Sequence, residues 1–224
     1  MSQIIFLVLL VVMFMLGIPV MVSLGLTSIV MMYAKGSIKY ATVIQQMIGG
    51  LNTFTLLAVP MFLLAGKLMN SSGTTDRLFD FAKKMVGWLP GGLAHVNIVS
   101  SIIFAGMSGT AVSDASGLGV IEIRAMNNAG FDKEFSASVT AASSTVGPII
   151  PPSLPLVVYG TISGASVGAL FMAGILPGLL MALIMMLVAF IFAILKGYPR
   201  EKFPTLPEIV VAFKEGFLPL MAPV

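Results

Sequence analysis

The chain contains no cysteine, one histidine and one tryptophan, and only 9% of its 224 residues are charged. Each scarcity excludes a class of function. Without Cys there is no disulfide framework, no thiolate metal site and no sulfur nucleophile. A single His cannot supply the pair that a helical zinc protease motif needs, and no transition-metal site is expected. The paired intramembrane Asp of an aspartyl protease, the serine-with-base pair of a serine protease, the phosphate loop and the dinucleotide fingerprint are all missing, so no catalytic residues are assigned and an enzyme is not expected. Soluble domains carry near a quarter charged residues, and this chain is 58% hydrophobic.

The few charges are clustered. None falls between Ile4 and Tyr33, between Tyr40 and Gly66, or between Phe135 and Leu195. Blocks of this length can cross a bilayer, which takes about 20 apolar residues. The net charge of +3 sits in the connections between blocks and reports orientation, with no nucleic-acid partner implied. The first block has no Lys or Arg before it and runs too long for a signal peptide, so it reads as a transmembrane helix.

Five apolar regions follow one another: Ile4 to Met32, Ala41 to Gly66, Leu89 to Ile121, Phe135 to Ile162 and Val167 to Leu195, with a sixth beginning near Gly216. The links at Lys35 and Lys39, from Lys67 to Lys84 (with Arg77 and Lys83), from Arg124 to Lys133 and from Lys196 to Lys214 (with Arg200 and Lys202) are basic, whereas Ser163 to Ser166 is uncharged. If the third region crossed once, the last basic links would fall outside, against the positive-inside rule; if it enters and returns, every basic link is cytoplasmic. Its 33 residues are too few for two crossings at about 20 each. A re-entrant helical hairpin is therefore expected, with its tip at Ser108-Gly109-Thr110 and a cytoplasmic N-terminus. Thr74 to Trp88 reads as a cytoplasmic amphipathic helix, either lying in the interface or serving as a solvated connector.

Two segments break the helical pattern at membrane depth, where irregular backbone survives only if buried in protein or lining a watery cavity. The first is Gly106-Met107-Ser108-Gly109-Thr110, where Gly109 can take a positive φ. Its hydroxyls and carbonyls suit a small hard cation, and its small residues equally suit close helix packing. The second is Gly147-Pro148-Ile149-Ile150-Pro151-Pro152-Ser153-Leu154-Pro155. Each Pro lacks an N–H, so in a helix the carbonyls of Ser144, Gly147, Pro148 and Pro151 would lose their partners and the helix must unwind. Broken midplane helices hold coupling ions and substrates in secondary transporters. Asp114 is explained either by the first turn of the returning half-helix, where the helix dipole favours an anion, or by support of a cation site. His95 reads as a packed residue, not a ligand.

Five segments, Gly-Ile-Pro-Val at 17–20, Val-Pro-Met-Phe-Leu-Leu-Ala-Gly at 59–66, Leu-Pro-Gly-Gly-Leu-Ala-His-Val-Asn at 89–97, Gly-Met-Ser-Gly-Thr-Ala-Val-Ser-Asp at 106–114 and Gly-Pro-Ile-Ile-Pro-Pro-Ser at 147–153, make the chain resemble the large membrane subunit of tripartite ATP-independent periplasmic (TRAP) transporters, the DctM-like permeases. The resemblance implies an all-α integral membrane fold of the bacterial inner membrane, made of two inverted repeats working as an elevator, and a sodium-coupled importer of carboxylates such as C4-dicarboxylates or sialic acid. It covers the N-terminal half only, one repeat with one re-entrant hairpin and one proline-broken transmembrane helix. It implies sodium as coupling ion with no other cofactor, held by Ser108, Gly109, Thr110, Ser144, Thr145, Gly147 and Pro148, with Ser108, Thr110, Pro151 and Ser153 facing substrate and Asp114 in support. Besides the bilayer, the implied partners are a small four-helix membrane subunit, a periplasmic substrate-binding protein and the missing C-terminal half. The expected organisation is a scaffold-type region at 1–88, a transport-type region at 89–162 (hairpin 89–123, broken helix 135–162), and 163–224 carrying a fourth transmembrane helix, a cytoplasmic linker and the start of the next span. A non-transporting membrane scaffold and an ion-coupled permease working without a binding protein are the alternatives.

Overall fold

The computed structural model describes residues 2–34, 36, 40–51 and 57–221, and its described residues form twelve helices and no strand. The link at Lys35 and Lys39 and the terminal Pro223-Val224 lie outside the described residues. The chain divides into two compact units, Met1–Thr53 and Phe54–Val224.

The first unit holds α1 (Ser2–Met15), α2 (Val20–Ala34) and α3 (Tyr40–Leu51). The single helix expected from Ile4 to Met32 is instead two. Gly17 takes φ 74°, its N–H donates to the Phe14 carbonyl at 3.0 Å, and the Ile18 N–H donates to Met13 at 3.2 Å. That pair of bonds closes a Schellman end on α1. Pro19 has no N–H to continue the ladder, and its carbonyl opens α2 by accepting from the Ser23 N–H at 2.9 Å. Gly17 and Pro19 signal this stop in the sequence itself, and hydropathy alone overrides it.

The second unit holds α4 (Ala58–Ser71), α5 (Thr74–Val86), α6 (Gly92–Ser108), α7 (Ala111–Ser116), α8 (Leu118–Asn128), α9 (Lys133–Ser144), α10 (Leu154–Ser163), α11 (Val167–Lys196) and α12 (Leu206–Met221). The region expected as one helix from Ala41 to Gly66 is described as α3 and α4, and α4 runs on through Gly66 and Lys67 to Ser71. The basic link expected at 67–84 is thus largely helical. Among the described residues only α11 is long and apolar enough to cross a membrane unbroken. Its 30 residues extend about 45 Å, past the roughly 30 Å hydrocarbon layer.

The apolar face of α5 is covered by protein more than by an interface: Leu78 and Ala82 are fully buried, and the helix packs on both α6 and α12. Phe81 and Phe213 place their ring centroids 6.2 Å apart across the α5/α12 contact. α12 begins at Leu206, ten residues before the expected start of the next span. α5 and α6 pack together on either side of residue 88.

α11 packs through small residues. Gly174, Gly178 and Ala182 repeat at the helical i, i+4 interval and are buried, as are Ala189 and Ala193. A Cβ on Gly174 would meet the Ile149 carbonyl oxygen, and one on Gly178 would meet the Ile150 side chain. The stripe lets the proline-rich segment sit directly on the α11 backbone, the close approach that small residues permit.

Candidate functional site

α6, α7 and α8 form a helical turn-back at Gly109 that runs from Gly92 to Asn128, against the 89–123 expected for the hairpin. Gly109 caps α6 in the left-handed region at φ 59°, its N–H donating to the Ala105 carbonyl at 3.0 Å. Thr110 then opens α7 as an extended N-cap whose Oγ1 accepts from the Ser113 N–H at 3.2 Å. The return arm kinks at Gly117 and runs on to Asn128, so Arg124 belongs to a helix and the connection to α9 shortens to 129–132. Ser108 is 2% exposed and its Oγ reaches the Thr110 carbonyl at 3.4 Å.

The proline-rich segment unwinds between α9 and α10, over 145–153. Two of the four carbonyls expected to lose partners find new ones. The Gly147 N–H donates to Ser144 O at 3.2 Å, a tighter turn than the helix it replaces, and Ser153 Oγ donates to Pro148 O at 2.5 Å. Among the described residues no hydrogen bond reaches the Gly147 or Pro151 carbonyl. Ser153 is fully buried and also accepts from the Leu156 N–H at 3.3 Å, so its hydroxyl is committed to capping α10 and turned into the protein. Ser144 Oγ donates to Thr140 O at 2.8 Å, and the exposed Thr145 donates to Ala142 O at 2.6 Å.

Tip and break touch. The Leu154 N–H donates to the Gly109 carbonyl at 3.3 Å, and a Cβ on Gly147 would lie 3.4 Å from the Thr110 carbonyl. Ser108, Gly109, Thr110, Gly147 and Ser153 thus share one locus, which α4 also approaches through Gly66, whose Cβ position is 3.7 Å from Ser113 Oγ.

Below the tip a polar seam joins hairpin and broken helix. Asn97 Nδ2 donates to Thr140 Oγ1 at 2.6 Å, Ser143 Oγ donates to Asn97 Oδ1 at 2.6 Å, and Ser101 Oγ donates to Ser143 Oγ at 3.2 Å. All are buried. Asp114 sits at 1% exposure in the first turn of α7, as the dipole reading expects. The hydroxyls of Ser101 and Ser144 adjoin it, but each donates elsewhere, and neither carboxyl oxygen of Asp114 accepts a hydrogen bond.

Glu122, fully buried on α8, is a functional candidate the sequence reading missed. Both its oxygens lack a partner, and Asp114 is its charged neighbour. The signal was available: Leu118, Glu122 and Met126 repeat at the i, i+4 interval, so an acid interrupts an apolar stripe. Two buried carboxyls without a basic partner are costly in a membrane, and a proton or a metal cation removes that cost. His95 is 2% exposed and packs 6.4 Å from the Phe190 ring, with neither ring nitrogen hydrogen-bonded among the described residues.

Residues 7–224 match the family model of the tripartite ATP-independent periplasmic transporter DctM component. The chain is 44% identical over 208 residues to the sialic acid TRAP transporter large permease protein SiaM of Vibrio cholerae, covering 93% of this chain and 49% of that protein. It is 36% identical over 205 residues to the C4-dicarboxylate TRAP transporter large permease protein DctM of the same organism, covering 91% and 45%. Against the 2,3-diketo-L-gulonate TRAP transporter large permease protein YiaN of Escherichia coli it is 35% identical over 209 residues, covering 93% and 49%. The chain spans about half the length of these relatives, which are transporters and not enzymes. With its glycine-capped hairpin and its proline-broken helix both falling within the matched span, the chain belongs to the DctM family of TRAP transporter large permeases.

Proposed function

We propose that the chain forms the first repeat of a sodium-coupled, elevator-type importer of carboxylates. In this reading the α6–α8 hairpin is re-entrant, its mouth and the N-terminus face the cytoplasm of a bacterial inner membrane, and the tip and the proline break form one wall of a sodium site. The observation that carries it is the Leu154 N–H to Gly109 carbonyl bond, which holds two interrupted helices end to end beside the uncommitted carbonyls of Gly147 and Pro151. Converging half-helix ends and free carbonyls are the arrangement that holds coupling ions in broken-helix transporters. Ser108, Gly109, Thr110, Gly147 and Pro148 are the proposed sodium-site residues, with Ser144 and Thr145 contributing through backbone, since their hydroxyls are turned to α9. Thr110 and Pro151 are partly exposed and face substrate; Ser108 and Ser153 support them from beneath.

Relatives named for sialic acid, C4-dicarboxylate and 2,3-diketo-L-gulonate support a carboxylate substrate, since all three are organic acids. The second half of the permease, a small four-helix membrane subunit and a periplasmic binding protein complete the transporter, and this chain alone does not transport. The test is thermal unfolding of the complete complex. A stabilisation by Na⁺ that K⁺ does not reproduce, abolished by Ser108→Ala with Thr110→Val, is expected. Equal response to both ions sinks the sodium reading and favours a scaffold, in which the contact of Gly66 and Gly147 with the tip is packing alone.

A further inference from the structure

A cleft of about 520 Å³ lies between α9 and α11, away from the tip and independent of the sodium reading. Its walls are apolar: Phe135 and Val139 from α9, Ile184, Val188 and Phe192 from α11, and Ile98 from α6 beneath. Charged groups gather at one end only, where Asp132, Glu134, Lys196 and Tyr198 form the mouth, and Ser138 is the one polar side chain further along α9. Ile184, Val188 and Phe192 are 44 to 53% exposed, so the cleft opens sideways from the protein, toward hydrocarbon in a membrane.

The cleft's dimensions match one leaflet. From Ile184 to Lys196 is twelve residues of α11, about 18 Å at 1.5 Å each, against roughly 15 Å for half the hydrocarbon thickness. Lys196 is the last residue of α11, where Gly197 ends the helix at φ 67°, so the polar mouth marks the interface and the apolar floor points to the midplane. An amphiphile with a single polar end fits this shape.

The mouth's charges choose the headgroup. Lys196 Nζ lies 3.1 Å from Asp132 Oδ2, and the Tyr198 hydroxyl donates to the same oxygen at 2.9 Å. Glu134 makes no ion pair among the described residues. Two carboxylates against one ammonium leave the mouth with a net charge of −1, which repels an anionic lipid and attracts a head that carries its own cation. A head with both a phosphate and a primary ammonium matches both signs: the phosphate approaches Lys196, and the ammonium donates N–H bonds to Glu134. A choline head, with no N–H, lacks those bonds.

We propose that this cleft is a binding site for a primary-amine phospholipid of the phosphatidylethanolamine type, held by one acyl chain between α9 and α11 and by its ammonium at Glu134. The full chain, purified from membranes and exposed to equal amounts of phosphatidylethanolamine, phosphatidylcholine and phosphatidylglycerol, is analysed by native mass spectrometry. Retention of the ethanolamine lipid at least tenfold above the other two is expected. Val188→Trp, which fills the cleft from a half-exposed position, and Glu134→Gln, an exposed isosteric change that leaves the fold alone, each abolish that preference. Equal retention of the three lipids, a preference for phosphatidylglycerol, or an unchanged preference in Glu134→Gln overturns the proposal. So does a photo-crosslinker at position 188 that captures a protein subunit and no lipid.

Discussion

Gly109→Ala tests the contact between the tip and the break most directly. Gly109 sits at φ 59°, where a side chain costs about 1–2 kcal/mol. The added Cβ would lie 2.9 Å from the Pro152 carbonyl oxygen and 3.0 Å from the Leu154 nitrogen, both backbone atoms that cannot rotate away. Moving Leu154 breaks its 3.3 Å bond to the Gly109 carbonyl, a further roughly 0.5–1.5 kcal/mol. Together these come to about 1.5–3.5 kcal/mol against the closed tip, or roughly 12- to 320-fold in its population at 1.4 kcal/mol per tenfold. Hydrogen–deuterium exchange of a peptide containing Leu154 reads this without reference to any ion, and its amide should exchange faster by that factor. Gly147→Ala is the matched control. Its Cβ would meet nothing closer than 3.4 Å, so the same amide should stay protected. Gly109→Asn separates the two causes, because Asn tolerates the left-handed region but carries the same Cβ; it should recover only the conformational part. Wild-type protection in Gly109→Ala would refute the reasoning from both φ and contact.

The buried seam gives a second prediction: Asn97→Leu removes the partners of Thr140 and Ser143 at 2.6 Å each and should lower stability by about 2–4 kcal/mol, read as a fall in the thermal midpoint. Ser153→Ala deletes both the α10 cap and the donor to the Pro148 carbonyl, at about 1–3 kcal/mol, and should raise the exchange of the Leu156 amide while leaving α11 protected. Gly174→Ala drives a methyl against the Ile149 carbonyl and should cost about 1–3 kcal/mol, whereas alanine at Gly168, whose Cβ would meet only Ser166 Oγ at 3.8 Å, should cost far less. Hydrogen bonding to Lys196 first, and then to Tyr198, holds the Asp132 carboxyl below its ordinary value of 3.8. A lowered folded value means the contribution is present above 3.8 and is lost as pH falls through the folded value. The thermal midpoint of Asp132→Asn should therefore lie below that of the wild type at pH 7 and converge with it in acid; equal midpoints at pH 7 would remove the ion pair from the account.

What the sequence makes legible is local chemistry. A positive φ at Gly109, a stop at the Gly17–Pro19 pair and an unwound helix from Pro148 to Ser153 all follow from a missing Cβ or a missing N–H, properties that need no tertiary neighbour. Membrane class follows as directly, because the spacing of charges along the chain is itself the evidence. The first helix break was readable on the same grounds, and averaging hydropathy over Ile4 to Met32 erased it.

Packing settles the rest. The Leu154 N–H finds the Gly109 carbonyl 45 residues away, and Lys196 finds Asp132 across 64. Pairings at such separations depend on how helices close on one another, and no periodicity encodes them. The proline count identified the carbonyls that would lose helical partners; only the folded chain shows Ser153 reclaiming one and Gly147 another, while two remain open. Glu122 marks the same divide: its place on an apolar stripe is written in the i, i+4 spacing, but its burial arises when α8 packs on α6, because burial belongs to surfaces in contact and not to a residue alone.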